Sequence, residues 1–265
     1  MKPYLWTFIL WLFLVSGAYS QPSFRSYETR SSGFSLNLHW MQFGDKYFSP
    51  LRYNGPGGEI NILSVRNYGD IRRHLRLGAK TDYMWNSLDF NAVYIQPVLG
   101  GGLSWVVNDL STKNAFSYIG ANLSGTSRFY RFLNEDPDHI YWATSYTLDL
   151  YYLFDIEFNK DRKAVIELTM PVAGIVSRPA PESHYTFQLP GFGEYVKRLH
   201  ENIGFATFNN MQAANLRLIT DLSRTRRYSV SMGYEMDFAR FSDPRPVIFL
   251  SNSLLVRFYF DVLVW

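Results

Sequence analysis

The feature that most constrains this chain is a long alternation of apolar and polar residues between positions 140 and 158. One parity carries Ile140, Trp142, Thr144, Tyr146, Leu148, Leu150, Tyr152, Phe154, Ile156 and Phe158. The other carries Ser145, Thr147, Asp149, Tyr151, Asp155 and Glu157. Because successive side chains of a β-strand point to opposite faces, this pattern predicts a strand with one apolar and one polar face. The segment far exceeds the ~5–6 residues of an ordinary globular strand.

The same alternation recurs in residues 34–40, 228–238 and 254–264. Strands that cross a membrane in a barrel need ~9–11 residues and carry aromatic side chains at both ends of the apolar stripe. A secreted β-sandwich also alternates, but it keeps its strands short around a core ~10 Å thick. We therefore predict an all-β protein, a single antiparallel transmembrane β-barrel, with the sandwich as the alternative.

Connections of two kinds separate the alternating segments. Compact polar turns occur at 67–70, 108–113, 159–163 and 221–226, and irregular connections lie at 42–57, 85–89, 131–139, 178–202 and 241–246. Short periplasmic turns and longer extracellular loops are typical of outer-membrane barrels. Ten strands follow, at 33–41, 58–66, 72–84, 90–107, 115–130, 140–158, 163–177, 205–220, 226–240 and 248–264. Eight or twelve are the alternatives, because Pro97 interrupts one segment and the parity of 205–220 is blurred.

The N-terminus has the pattern of a secretory signal peptide. Lys2 precedes an apolar run from Leu5 to Val15, and Ala18-Tyr19-Ser20 provides a small-x-small cleavage site. The run is short for a membrane anchor, which is the alternative. We predict a signal peptide at 1–20 and one barrel domain at 21–265.

Composition excludes several classes of protein. The chain has no cysteine, so it has no disulfide, thiolate metal site or cysteine nucleophile. A formal charge of +3 gives no basic surface for nucleic acid. His184, His200 and Glu201 show no metal-ligand spacing, and we predict no metal and no cofactor.

The tandem amphipathic hairpins and the aromatic final strand ending at Trp265 resemble outer-membrane β-barrel proteins of Gram-negative bacteria. The segment Gly33-Phe34-Ser35-Leu36-Asn37-Leu38 is similar to uncharacterised barrels of the Bacteroidota. The resemblance implies an outer-membrane location after export, assembly by the barrel-assembly machinery, and contact with membrane lipid and lipopolysaccharide. Trp265 departs from the family pattern, because it is out of phase with the apolar stripe of its strand.

Parity also predicts which charges face the lumen. They are Arg76, Lys80, Arg217, Arg257, Asp82, Asp149, Asp155, Glu157, Glu167, Glu235, Asp237 and Asp261, with His39 and His74 beside them. Side chains largely fill a barrel of about ten strands, so these charges should pair in a closed polar lumen. Acids outnumber bases in this set. If the lumen conducts, we expect a small cation-preferring channel.

The long connection 178–202 carries the candidate residues for chemistry and for contact. Ser183, His184 and His200 could serve a lipid-modifying hydrolase, although neighbouring Ser183 and His184 would point opposite ways on an extended segment. The acidic turn at 135–139 places Asp beside His, a pair that a protease could use to activate water. Arg178, Lys197 and Arg198 could contact lipopolysaccharide phosphates, or the connection could form a lid over the barrel. We predict a non-enzymatic barrel whose external loops contact a ligand or an envelope partner, with the channel and the hydrolase as alternatives.

Overall fold

The computed structural model describes residues 29–45, 51–112, 114–134, 136–159, 162–178, 197, 199–225, 227–242 and 246–263. The strands are β1 Thr29–Asp45, β2 Tyr53–Tyr68, β3 Ile71–Trp85, β4 Asn91–Val106, β5 Ala115–Phe132, β6 Asp136–Asn159, β7 Arg162–Ser177, β8 Ile203–Thr207, β9 Met211–Arg224, β10 Tyr228–Phe241 and β11 Val247–Leu263. A short 3₁₀ helix spans Asn108–Leu110. Within these described ranges, no helix is long and apolar enough to cross a membrane.

The strands form one closed antiparallel barrel. Each strand pairs with its neighbour in sequence from β1 to β7, and β9, β10 and β11 continue the sheet. The sheet closes where β1 pairs with β11 from Thr29↔Leu263 to Asp45↔Val247. Strands β8 and β9 share one position beside β7, which pairs with β9 through Ala164–Thr169 and with β8 through Ala173–Ser177. The barrel therefore has ten strand positions, and the predicted fold class is confirmed.

The shared position explains the blurred parity of the predicted strand 205–220. Residues 208–210 form a turn between β8 and β9. The Asn210 side chain accepts a hydrogen bond from the Thr207 backbone N–H at 2.7 Å and donates one to the Phe205 carbonyl at 2.8 Å. The carboxamide of Asn210 thus satisfies a backbone N–H and a backbone carbonyl of β8 in place of a neighbouring strand. The buried side chains therefore change from even positions in β8, such as Ala206, to odd positions in β9, such as Met211 and Ile219.

Strand β4 remains continuous through Pro97. Its pairing with β3 includes Pro97, whereas its pairing with β5 is missing at Gln96 and Pro97 and resumes at Val98. Because proline has no N–H to donate, it is expected to lose the pairing with one of its two neighbouring strands. The break is local, and the strand count stays at ten positions.

The two faces of the barrel differ as the alternation predicted. Large apolar side chains on the outward face are exposed, among them Leu36, Leu38, Ile62, Leu77, Leu123, Leu148 and Leu254. Leu38 and Leu254 are direct cross-strand partners with exposed fractions of 76% and 69%. Polar side chains of the opposite parity are buried in the lumen, among them Ser35, Asn37, Asn61, Asp149 and Glu235. The polar lumen is confirmed.

The two ends of the barrel carry different connections. Strands β2 and β3 are joined by two residues at 69–70, and Gly69 has a φ of 55°, a left-handed conformation that glycine adopts without steric cost. Strands β6 and β7 are also joined by two residues, at 160–161. Ser177 and Ile203, which bound the long connection, pair with each other at the opposite end of the barrel, which we call the outer end. The end with the short turns is called the inner end.

We expect the cost of an outward-facing charge to depend on its depth. Leu254→Arg places a guanidinium at the middle of the apolar outer face, which the alternation predicts to face lipid. The expected loss is about 2–4 kcal/mol of unfolding free energy. Leu222→Arg is the matched control, because Leu222 is 59% exposed near the inner end of β9, where the same change should cost about 0–1 kcal/mol. Urea unfolding in lipid vesicles measures both, and equal losses would contradict the assigned outer face.

Candidate functional site

Glu235 of β10 is the centre of a charged network in the middle of the lumen. Its side chain is buried. One carboxylate oxygen accepts hydrogen bonds from Asn215 at 2.7 Å and from Arg217 at 2.9 Å. The other accepts from Asn37 at 3.0 Å. Strands on both sides of β10 therefore converge on one carboxylate.

Arginines extend this network around the barrel. Arg217 lies directly opposite Glu235 on one neighbouring strand and directly opposite Glu167 on the other, with 3.3 Å between Arg217 Nη1 and Glu167 Oε2. Arg257 donates two hydrogen bonds of 3.2 Å to the two carboxylate oxygens of Glu167. A two-point contact of this kind fixes the orientation of both groups.

On the other side of Glu235, the network reaches β2 and β3. Arg76 forms an ion pair with Glu59 and lies 3.7 Å from Glu235. Its Nε donates to Asn61 at 2.7 Å. Six strands thus each contribute one charged residue, and the three acids and three bases balance: Glu59, Arg76, Glu167, Arg217, Glu235 and Arg257. Buried charges require such compensation, because removal from water is costly.

Two further polar contacts occupy the lumen. His39 and Asp82 lie 2.6 Å apart, and both side chains are fully buried. Gly57 of β2 lies against this pair, and a Cβ there would collide with both side chains, so glycine makes room for the contact. Asp149 accepts hydrogen bonds from Asn122, at 3.1 Å, and from Ser124. Near the inner end, Asp155 forms an ion pair with Lys163.

Aromatic side chains fill the lumen at the outer end. Phe43 packs against Tyr130 and Phe249 with ring centroids 4.7 Å and 5.1 Å apart, and Tyr53 packs against Phe132 at 5.1 Å. The buried cluster contains Met41, Phe43, Tyr53, Met84, Tyr94, Tyr130, Phe132, Tyr141, Met211, Phe241, Val247 and Phe249. Between this cluster and Tyr151 near the inner end lies a cavity of about 170 Å³, which the charged residues of the network line. The lumen is therefore filled at the outer end and cross-linked in the middle.

The structure places the remaining predicted lumen residues as follows. Lys80 and Asp237 line the central cavity, as does His74. Glu157 is half-buried on β6. Asp261 belongs to β11, but its side chain lies outside the part of the chain that is described.

Several charged lumen residues in the described part of the chain were not predicted, although the parity of some of them was visible in the sequence. Glu59 and Arg72 share the inward parity of their strands, and both line the cavity. Arg128 lies 5.4 Å and 5.6 Å from the ring centroids of Phe241 and Phe249. Asp45 accepts a hydrogen bond from the Tyr130 hydroxyl at 2.9 Å. Glu59 and Asp45 add two acids, and Arg72 and Arg128 add two bases, so these four residues leave the excess of acids in the predicted set unchanged.

The structure describes some of the candidate residues of the long connection and not others. Ser183, His184 and Arg198 lie outside the described residues. Arg178 is buried, with its guanidinium 3.9 Å from the Asp45 carboxylate at the outer end of the lumen. This placement does not fit the expected surface contact with lipopolysaccharide. Lys197 is exposed.

His200 lies against the outer wall of the barrel. Its ring stacks on Tyr146 with a centroid separation of 5.7 Å, and its Nε2 is 2.8 Å from the Tyr146 hydroxyl. Tyr146 belongs to the outward face of β6 and is 44% exposed. Trp142 and Thr144 share that parity, yet both are buried. His200 therefore places the described end of the long connection beside the outer wall, whereas residues 179–196, which would form the lid, lie outside the described residues.

The acidic turn considered as a protease signal is not a loop in the structure. Residues 136–139 form the start of β6, and Asp136 pairs with Phe132. The connection between β5 and β6 is reduced to residues 133–135. No group of three or more metal-ligating His, Asp or Glu side chains occurs in the described ranges.

Comparisons with known proteins return solved β-barrels. The outer membrane protease OmpT from Escherichia coli shares 7% identity, with 93% of this chain and 100% of that chain covered and a TM-score of 0.46. The translocator domain of the autotransporter NalP from Neisseria meningitidis shares 9% identity, covering 97% of this chain and 94% of that one, with a TM-score of 0.43. Neisserial surface protein A shares 10% identity, with 85% and 95% covered and a TM-score of 0.37. No protein-family model matches the chain. No curated protein matches it either.

The network predicts an unequal response to two similar substitutions in the lumen. Glu235→Gln removes one of the two carboxylate charges beside Arg217 and one beside Arg76, so it should lower the unfolding free energy by about 3 kcal/mol. Asp237→Asn removes one charge from the same face and the same cavity but outside the six-residue network. We expect a smaller loss for it in urea unfolding. A larger loss for Asp237→Asn would contradict the central role of Glu235.

Proposed function

We propose that this protein is an integral outer-membrane β-barrel with a closed, non-enzymatic body, whose extracellular loops contact a ligand or an envelope partner. The observation that carries the proposal is the blocked lumen, in which a charged network joins six strands and an aromatic cluster occupies the outer end. A channel requires an open path, whereas a scaffold for loops requires a rigid body. The aromatic cluster that fills the outer end favours the scaffold.

The outer face supports a membrane location. Lipid offers no hydrogen-bond partners to the backbone, and a closed barrel satisfies its backbone within the sheet. The exposed apolar side chains form a belt around the barrel, and aromatic groups lie towards its ends, such as Trp40 against Trp85 at 5.8 Å. Short connections at one end and a long connection at the other support an orientation with the outer end extracellular.

The loop contact of the proposal is centred on Lys197 and Arg198. Lys197 is exposed, whereas Arg178 is withdrawn beside Asp45. Phosphate groups of lipopolysaccharide are the expected partner for such cations, because charged hydrogen bonds to phosphate are short and strong. Assembly by the barrel-assembly machinery belongs to the same proposal.

A membrane barrel should be heat-modifiable. Unboiled protein in SDS should keep its closed sheet and migrate differently from boiled protein, and the protein should fractionate with outer membranes. Gel mobility with and without boiling, together with fractionation, measures both properties. Unchanged mobility combined with a soluble periplasmic pool would contradict the membrane location.

The channel alternative predicts current through a planar bilayer, whereas a lumen blocked at its outer end predicts none. We expect the wild-type protein to show no discrete conductance steps. The double variant Phe43→Ala/Phe249→Ala removes two rings from the outer-end cluster and should increase the leak current. Discrete cation-preferring steps from the wild-type protein would support the channel instead.

The hydrolase alternative has one observation in its favour, which is the position of His200 on the outer wall within reach of lipid. Its Nε2 is occupied by the Tyr146 hydroxyl. Our proposal predicts no release of fatty acid from phospholipid or lipopolysaccharide by the protein in vesicles. Release that disappears in His184→Ala or His200→Ala would establish the enzyme.

A further inference from the structure

Three arginines lie side by side on the outward face at the inner end of the barrel. Arg30 of β1 is directly opposite Arg66 of β2, and Arg66 is directly opposite Arg73 of β3. Arg30 and Arg73 are exposed, and Arg66 is half-buried. Directly opposite residues have Cβ atoms about 4.5–5.5 Å apart. Three guanidinium groups are therefore gathered on three adjacent strands; we call this set the arginine strip.

The arginine strip concentrates charge of one sign. Like charges directly opposite each other destabilise a sheet. The ring of Tyr68 contacts two of these arginines: its centroid lies 4.9 Å from the guanidinium carbon of Arg66 and 5.3 Å from that of Arg73. Each guanidinium is attracted to the face of the ring. The ring keeps the two cationic groups close despite their repulsion.

An apolar wall adjoins the arginine strip on the same face. Ile62, Leu75 and Leu77 are exposed and lie one or two side-chain positions further towards the middle of the barrel. Phe34 is directly opposite Ile62 on β1. Trp105, which is also exposed, flanks the strip beside Ile71. Cationic groups at the edge of an apolar wall are complementary to an amphiphile with an anionic head.

We propose that the arginine strip is a binding site for an anionic phospholipid. Its phosphate would accept paired hydrogen bonds from the guanidinium groups, a geometry for which arginine is suited. Its acyl chains would lie along Ile62, Leu75 and Leu77. The inference rests on the proposed membrane location, in which the inner end meets the periplasmic leaflet. A free phosphate ion would use the same guanidinium groups but would gain nothing from the apolar wall.

The test measures lipid binding to the full-length protein in detergent by native mass spectrometry. We titrate dioleoylphosphatidylglycerol and dioleoylphosphatidylcholine and expect the wild-type protein to prefer the anionic lipid at least about fivefold. Arg30→Gln/Arg73→Gln should reduce this preference to about twofold or less. Arg73→Lys, which keeps the charge but loses the planar two-point contact, should give an intermediate value. Arg240→Gln is the matched control, because Arg240 is an exposed outward arginine near the outer end of the barrel, away from the arginine strip.

Two outcomes would overturn the site. One is an equal preference in the wild type and in the double variant. The other is displacement of the anionic lipid by inorganic phosphate alone, which would assign the arginines to a free anion. Heat-modifiability in neutral phosphatidylcholine vesicles is measured in parallel. A folded barrel without lipid preference would refute this inference alone, whereas absence of a heat-modifiable barrel would refute the proposed membrane location.

Discussion

The pairing of β1 with β11 is the contact on which the rest of the structure depends. It runs the full length of both strands and joins the two ends of the sheet. An open sheet of this length would leave two rows of unpaired backbone N–H and C=O groups, which attract other chains. Closure removes both rows at once. It also separates an inside from an outside, so each strand can place charged residues at its inward positions and apolar residues at its outward positions.

The narrow interior then determines what the inward residues must do. Side chains from six strands meet within hydrogen-bond distance, and a charge without a partner there would be costly. Arg217 meets this requirement because its register places one carboxylate opposite it on each neighbouring strand. At the outer end the inward residues change from charged to aromatic, and the rings fill the space by stacking and edge contacts. The register of the strands therefore determines which lumen charges pair, and the type of the inward residues determines which part of the lumen is filled by aromatic rings.

The sequence predicted the parts of this structure that depend on period-two alternation. Strand number, barrel closure and the inward parity of Arg76, Glu167 and Glu235 follow from spacing. Asn210 could not be anticipated, because its role depends on a side chain replacing a strand at one short edge. The outer-wall position of His200 was also missed, because an irregular connection has no periodicity to indicate where it packs. The signal peptide and the similarity to Bacteroidota barrels remain predictions.

Barrel closure also determines when some contacts of the interior can form during folding. Asn37 and Glu235 are hydrogen-bonded at 3.0 Å across 198 residues of sequence. Contacts between such distant residues form slowly, because a long loop must first close. Hairpins of neighbouring strands can form early, but the carboxylate of Glu235 meets Asn37 after the first and last strands have met. The contacts of Glu235 with Asn37 and Arg76 are thus late products of folding, whereas its pairing with Arg217 can form with the hairpin of β9 and β10.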